Sequence, residues 1–215
     1  MSKKLPPWAE PALQDQLIHP TINMTQNKKI TRRTLPPWAD PALQGIAYWM
    51  GYKSQYDREF DLPEAAIVAE LHTLISMRLK DQKIECEIDY NSLHDSKAVN
   101  DTRYADMVIY DKENKRPLYA IEVKRYKTGY DAIKKDIEKL RSLQHASGIL
   151  GKYLIVTVSQ KGFPTKLITD QGVAPAKLHE SFGKNVFVRR VCKASNSFRH
   201  DAVYSAQYAI LIEVK

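Results

Sequence analysis

Two strand-like runs, RYADMVIYD and PLYAIEVKRY, flank the polar segment KENKR, and each carries charge inside an otherwise apolar stretch. Apolar runs of strand length joined by a few turn-forming residues read as an antiparallel hairpin. This hairpin constrains the fold more than any other feature of the chain. In a tight hairpin, facing residues share one midpoint. Asp106 and Glu122 share theirs at Asn114, in the middle of KENKR. The two carboxylates are therefore expected side by side on neighbouring strands. Glu122 and Lys124, two residues apart, project from the same face of their strand. One patch of sheet then holds two carboxylates and an ammonium, where unpaired burial would be costly.

The tetrapeptide IEVK of the second run recurs as the last four residues, Ile212 to Lys215. Reflecting Glu213 onto its nearest suitable acid, Asp201, puts the midpoint at Gln207, in YSAQYAIL, where no tight turn is signalled. No helix follows this copy to bring cations near it, and Lys215 is the final residue. The internal copy is the one expected to carry chemistry. The terminal copy is expected to be a strand that happens to end in the same letters.

From Asp61 onward the pattern is globular. DLPEAAIVAELHTLISMRLKDQ places Ile67, Leu71, Leu74 and Met77 at helical spacing. KIECEIDY alternates like a half-buried strand, and YDAIKKDIEKLRSLQHA is a second amphipathic helix with Ile133, Ile137 and Leu140 on one side. GKYLIVTVSQ, NVFVRRV and YAILIEV supply further strands. This order predicts an α/β domain over residues 61–215, with a central mixed β-sheet flanked by helices. An apolar content of 43% is enough for a real core.

Residues 1–60 read differently, as an extension rich in proline that holds all three tryptophans. LPPWAEPALQ from Leu5 is nearly restated as LPPWADPALQ from Leu35, with the basic stretch NKKITRR between the copies. Pro37 can open a short helical turn, and each copy offers one Trp and one Leu as an apolar anchor. Two readings stand: a duplicated docking motif that packs on the core or on a protein partner, and a local duplication in a tolerant tail.

Two adjacent carboxylates repel unless a proton or a cation lies between them. An all-oxygen site of this kind suits a hard divalent ion, Mg²⁺ with Mn²⁺ as the alternative, and a neighbouring lysine can assist the attacking water or stabilise charge developing on phosphorus. Ala105–Asp106 on one strand, followed by Glu122-Val123-Lys124 on the next, resembles the signature of the PD-(D/E)XK nuclease superfamily, which includes many restriction endonucleases and Holliday junction resolvases. The order of elements over residues 61–159 fits that resemblance. Ala105 stands where the pattern has proline, and this leaves the carboxylate ligand intact.

The resemblance implies a restriction-endonuclease-like core and a metal-dependent deoxyribonuclease. It implies Asp106 and Glu122 as metal ligands, with the intervening Val123 in the ligand set, and Lys124 as the catalytic lysine. In this superfamily the first helix often contributes a further glutamate; Glu64 and Glu70 are the candidates, and Glu64 is favoured. A glutamate just after Pro63 would also stabilise a helix N-terminus without any catalysis. Lys134, Lys135, Lys139 and Arg141, on the following helix, can line a phosphate-binding face or form its solvated side.

The net charge of +8 favours a polyanionic partner, DNA first. A second reading keeps the nuclease fold without catalysis, as a DNA-binding or assembly module acting through the N-terminal arm. Homo-oligomerisation fits any enzyme that cuts both strands of a duplex. Cys86 and Cys192 lack metal-ligand spacing and are expected as small buried side chains in a reducing compartment. With no apolar leader and no stretch long enough to span a bilayer, the expectation is a cytoplasmic protein without a membrane.

Overall fold

The computed structural model describes residues 34–56, 62–94, 103–126, 130–143, 148–160, 162–168, 182–195 and 206–215. By internal contacts the chain divides into Met1–Thr34 and Leu35–Lys215. The first copy of the repeat, residues 5–14, and the basic stretch at residues 27–33 lie outside the described residues.

Six strands form one mixed sheet: β1 (Gln82–Asp89), β2 (Tyr104–Asp111), β3 (Pro117–Tyr126), β4 (Gly151–Gln160), β5 (Val186–Ser195) and β6 (Ala206–Val214). Their spatial order is β1-β2-β3-β4-β6-β5. β3 and β4 are parallel, and every other neighbouring pair is antiparallel. The parallel pair needs a crossover, and helix α3 (Asp131–Ser142) supplies it. β4 and β6 have helices on both faces and read as near-continuous apolar runs for that reason; all nine residues of β6 are buried.

One face of the sheet packs on α3, through Ile133, Ile137, Leu140 and Leu143. The opposite face packs on α1 (Ala39–Tyr56) and α2 (Glu64–Ser76). In α2 the buried stripe is Ile67, Leu71 and Ile75. Met77, expected on that stripe, is the C-cap residue and 68% exposed; two residues past Ile75, it falls about 200° round the helix from that buried position.

The boundary of the compact unit does not fall near residue 60. It falls at Leu35, because the second copy of the repeat belongs to the core. Trp38, Ala39, Ala42 and Leu43 of that copy, with Ile46 and Met50 beyond it, are all at most 1% exposed. Pro41 lies in the first turn of α1, where proline costs no helical hydrogen bond. Gly45 lets α1 and α2 approach closely, since a Cβ there would stand 2.8 Å from a δ-methyl of Leu74. Both cysteines are free thiols; Cys192 is buried, but Cys86 is exposed at the outer strand β1. Among the described residues no helix is long and apolar enough to cross a membrane.

Candidate active site

The β2–β3 ladder runs through Ile109–Tyr119, Val108–Ala120 and Met107–Ile121, all centred on Asn114, and then stops. Beyond that pair β3 continues beside β4 as far as Tyr126, while β2 continues beside β1 as far as Tyr104. Asp106 and Glu122 are the next residues on the two parting strands. Val123, whose ladder partner would be Ala105, instead donates its backbone N–H to Asp106 Oδ2 at 2.7 Å. A carboxylate thus takes over a sheet hydrogen bond at the point where the sheet forks.

Glu122 is 1% exposed. Tyr90, in the single 3₁₀ turn after β1, donates its hydroxyl to Glu122 Oε1 at 2.7 Å. Tyr90 is itself fully buried, and the Arg103 guanidinium lies over its ring. On the other oxygen, Lys139 Nζ stands 3.3 Å from Glu122 Oε2. Lys139 also pairs with Asp136 at 2.8 Å, and Asp136 Oδ2 faces Lys124 Nζ at 3.5 Å. Lys124 donates to Glu64 Oε1 at 2.7 Å. The other oxygen of Glu64 accepts the backbone N–H of Arg125 at 2.9 Å, and the Arg125 side chain donates to the Leu62 carbonyl, tying the start of α2 to β3.

Four carboxylates (Glu64, Asp106, Glu122 and Asp136) thus surround two ammonium groups, Lys124 and Lys139, so acids outnumber ammonium groups there and form an excess. The protonation equilibria respond to that excess. Burial, then the neighbouring Asp106, pushes Glu122 up to about 8. Burial also raises Asp106, although the Val123 N–H opposes the shift. Burial alone would lower both lysines; pairing with Glu64 and Asp136 keeps Lys124 above its ordinary range, and pairing with Asp136 and Glu122 does the same for Lys139.

Between the ordinary glutamate value of 4.5 and about 8, folded Glu122 holds a proton that the unfolded chain has released. Its contribution to stability therefore falls as pH rises through that window. Glu122→Gln cannot ionise and should lack this slope. The stability of wild type relative to the variant should drop by about 3–5 kcal/mol between about pH 5 and about pH 8, read from denaturant unfolding at each pH.

The remaining expected residues divide. Glu64 reaches the cluster, and the other candidate, Glu70, sits farther along α2. The Val123 side chain is buried on the α1/α2 side of the sheet, so only its carbonyl could serve a metal. Lys134, Lys135 and Lys139 line an open cleft of about 550 Å³ together with Arg103, Asp131 and Glu138. Arg141 does not join them; its guanidinium donates to the carbonyls of Phe182 and Lys184 and pairs with Glu138. Asp136 and Tyr90 are missed by the sequence reading. For Asp136 a signal existed: it shares the buried stripe of α3 with Ile133, Ile137 and Leu140, where a charge needs a partner.

The first three residues of the terminal IEVK end β6, between β4 and β5, and its Glu213 belongs to the other face of the sheet, 3.5 Å from Arg189. Lys215 sits over the Phe187 ring.

Comparisons of the chain with protein-family models, with curated proteins and with solved structures gave no match. Fold and site together define an α/β protein with a six-stranded mixed sheet and a part-buried carboxylate–ammonium cluster at a strand fork.

Proposed function

We propose that this protein is a metal-dependent deoxyribonuclease of the PD-(D/E)XK type. The reading is carried by two carboxylates, Asp106 and Glu122, set on neighbouring strands at the fork, in a cluster with an excess of acids over ammonium groups. Protons can offset such an excess, and so can a hard divalent cation. The donor set fits Mg²⁺ or Mn²⁺ in chemistry, being oxygen throughout: Asp106, Glu122 and the Val123 carbonyl. Among the described residues no group of three acids, histidines or cysteines is gathered for a metal, so binding also requires the present ion pairs to rearrange.

A bound ion would supply Lewis-acid polarisation of a phosphodiester and counter-charge for its transition state. The chain's own residues do the rest. Tyr90 fixes the Glu122 carboxylate by its hydroxyl. Glu64 and Asp136 hold Lys124 from two sides and keep it charged, so it acts by donating to the attacking water and stabilising charge on phosphorus rather than as a base. Lys134 and Lys135 in the adjoining cleft offer contacts to the DNA backbone.

The test is incubation of the full chain with plasmid, linear and branched DNA in Mg²⁺, Mn²⁺ or EDTA. Cleavage should require the ion, and Asp106→Asn should fold yet lose cleavage at ion concentrations that saturate the wild type. Undiminished cleavage by that variant removes the site from consideration. A second reading, a nuclease-fold protein that binds without cutting, is favoured by the ion pairs that already engage Glu64, Glu122 and Asp136. DNA binding without cleavage under every ion condition would select it.

A further inference from the structure

Lys139 faces two environments. Its ammonium contacts two buried carboxylates, and the same side chain lines the open cleft beside Lys134, Lys135 and Arg103. The Asp136 and Glu122 side chains are 5% and 1% exposed, whereas the Lys139 side chain keeps 24%. Its hold on the two acids is unequal. The contact to Asp136, one helical turn away, is 2.8 Å, but the contact to Glu122 is 3.3 Å, beyond the roughly 2.7–2.9 Å of strong charge-assisted hydrogen bonds. A flexible four-carbon stem lets such a cation leave one partner without any backbone movement.

The Glu122 oxygen that Lys139 covers is one that a divalent ion would need. We propose that Lys139 caps the Glu122 oxygen that a divalent cation would take, that the cation displaces it, and that the released ammonium joins Lys134 and Lys135 as a phosphate contact in the cleft. The inference rests on reading the fork as a metal site. Exchanging a monovalent cation for a divalent one puts one more positive charge beside Asp106 and Glu122. The released lysine adds one cation to the DNA-facing surface, so ion and DNA bind cooperatively, each raising the affinity for the other.

The experiment titrates Mn²⁺ alone into the full-length protein by calorimetry, comparing wild type with Lys139→Met, Lys139→Arg and Asp106→Asn. It also follows binding of a short DNA duplex over a salt series, in Ca²⁺ and in EDTA. Lys139→Met, free of the competing charge, should bind Mn²⁺ tighter on the order of tenfold or more. Lys139→Arg keeps the competitor and should bind it no tighter than wild type. In wild type, Ca²⁺ should steepen the salt dependence of DNA binding by about one released counterion; in Lys139→Met it should not. Mn²⁺ binding to Lys139→Met no tighter than to wild type overturns the proposal. So does a wild-type salt dependence that Ca²⁺ leaves unchanged, a measurement that decides the matter even if Lys139→Met does not fold. Mn²⁺ affinity lost in Asp106→Asn but not tightened in Lys139→Met rejects only the role of Lys139. Mn²⁺ bound equally by Asp106→Asn and wild type rejects the metal site as well.

Discussion

Lys124→Ala should slow the chemical step of DNA cleavage by two orders of magnitude or more, on the order of 3 kcal/mol, the effect expected for removing one preorganised group that stabilises developing charge. The geometry explains why one side chain should matter so much. Lys124 is held by Glu64 at 2.7 Å and faces Asp136 at 3.5 Å, so its ammonium is fixed before any substrate arrives. Single-turnover rates, measured on variants whose unfolding temperatures are also recorded, separate this from loss of fold. Lys215 of the second IEVK is the internal control. Its backbone N–H bonds to the Asn185 carbonyl and its ammonium covers Phe187, far in sequence and on a different strand from the fork. Deleting Lys215 should change the rate by less than about twofold, as for surface changes away from special contacts. A loss confined to the Lys215 deletion would sink the assignment of the internal copy.

The hairpin register was legible because it depends on little besides its midpoint, whereas the parting of the strands beyond Met107 and Ile121 was not. Near the turn the ladder slips, with Tyr110 opposite Pro117, yet from Ile109 inward the pairs are centred on Asn114 as the sequence suggests. Asp111 explains why the turn sits there: its carboxylate accepts the N–H groups of Glu113 and Asn114. The apolar runs of β4 and β6 were legible for the same reason that they are buried on both faces. Helix α1 was not. Much of its inward stripe is alanine, at Ala39, Ala42 and Ala47, which stands out poorly in any periodic pattern, so Pro37 suggested only a short helical turn and not an 18-residue helix. The cluster around Lys124 was half legible. Residues on one hairpin can be placed by counting, but Tyr90 and Asp136 arrive from elements whose docking is decided by packing. No local count places Tyr90 beneath Glu122.

Trp38→Ala should destabilise the protein by about 3–5 kcal/mol, the range for deleting a large buried aromatic side chain. Trp38 is 1% exposed and meets Tyr119 and Tyr153 edge-on, with centroids 6.1 and 5.8 Å away, so it joins α1 to β3 and β4. Its indole N–H is buried with no acceptor among the described residues. The ring therefore contributes by packing, and Trp38→Phe, which keeps an aromatic ring and breaks no hydrogen bond, should cost only about 1–2 kcal/mol. Nearly equal losses for Ala and Phe would mean that the indole N–H matters after all. The same contacts decide where the chain can be cut. A chain beginning at Leu35 keeps the compact unit and should unfold cooperatively. One beginning at Asp61 lacks Trp38, Leu43, Ile46 and Met50 and bares Ala209 and Leu211 of the central strand β6. It should show no cooperative transition by denaturant. Cooperative unfolding of the shorter chain would return α1 to the role of a dispensable arm, and with it the reading of the repeat as an anchor external to the core.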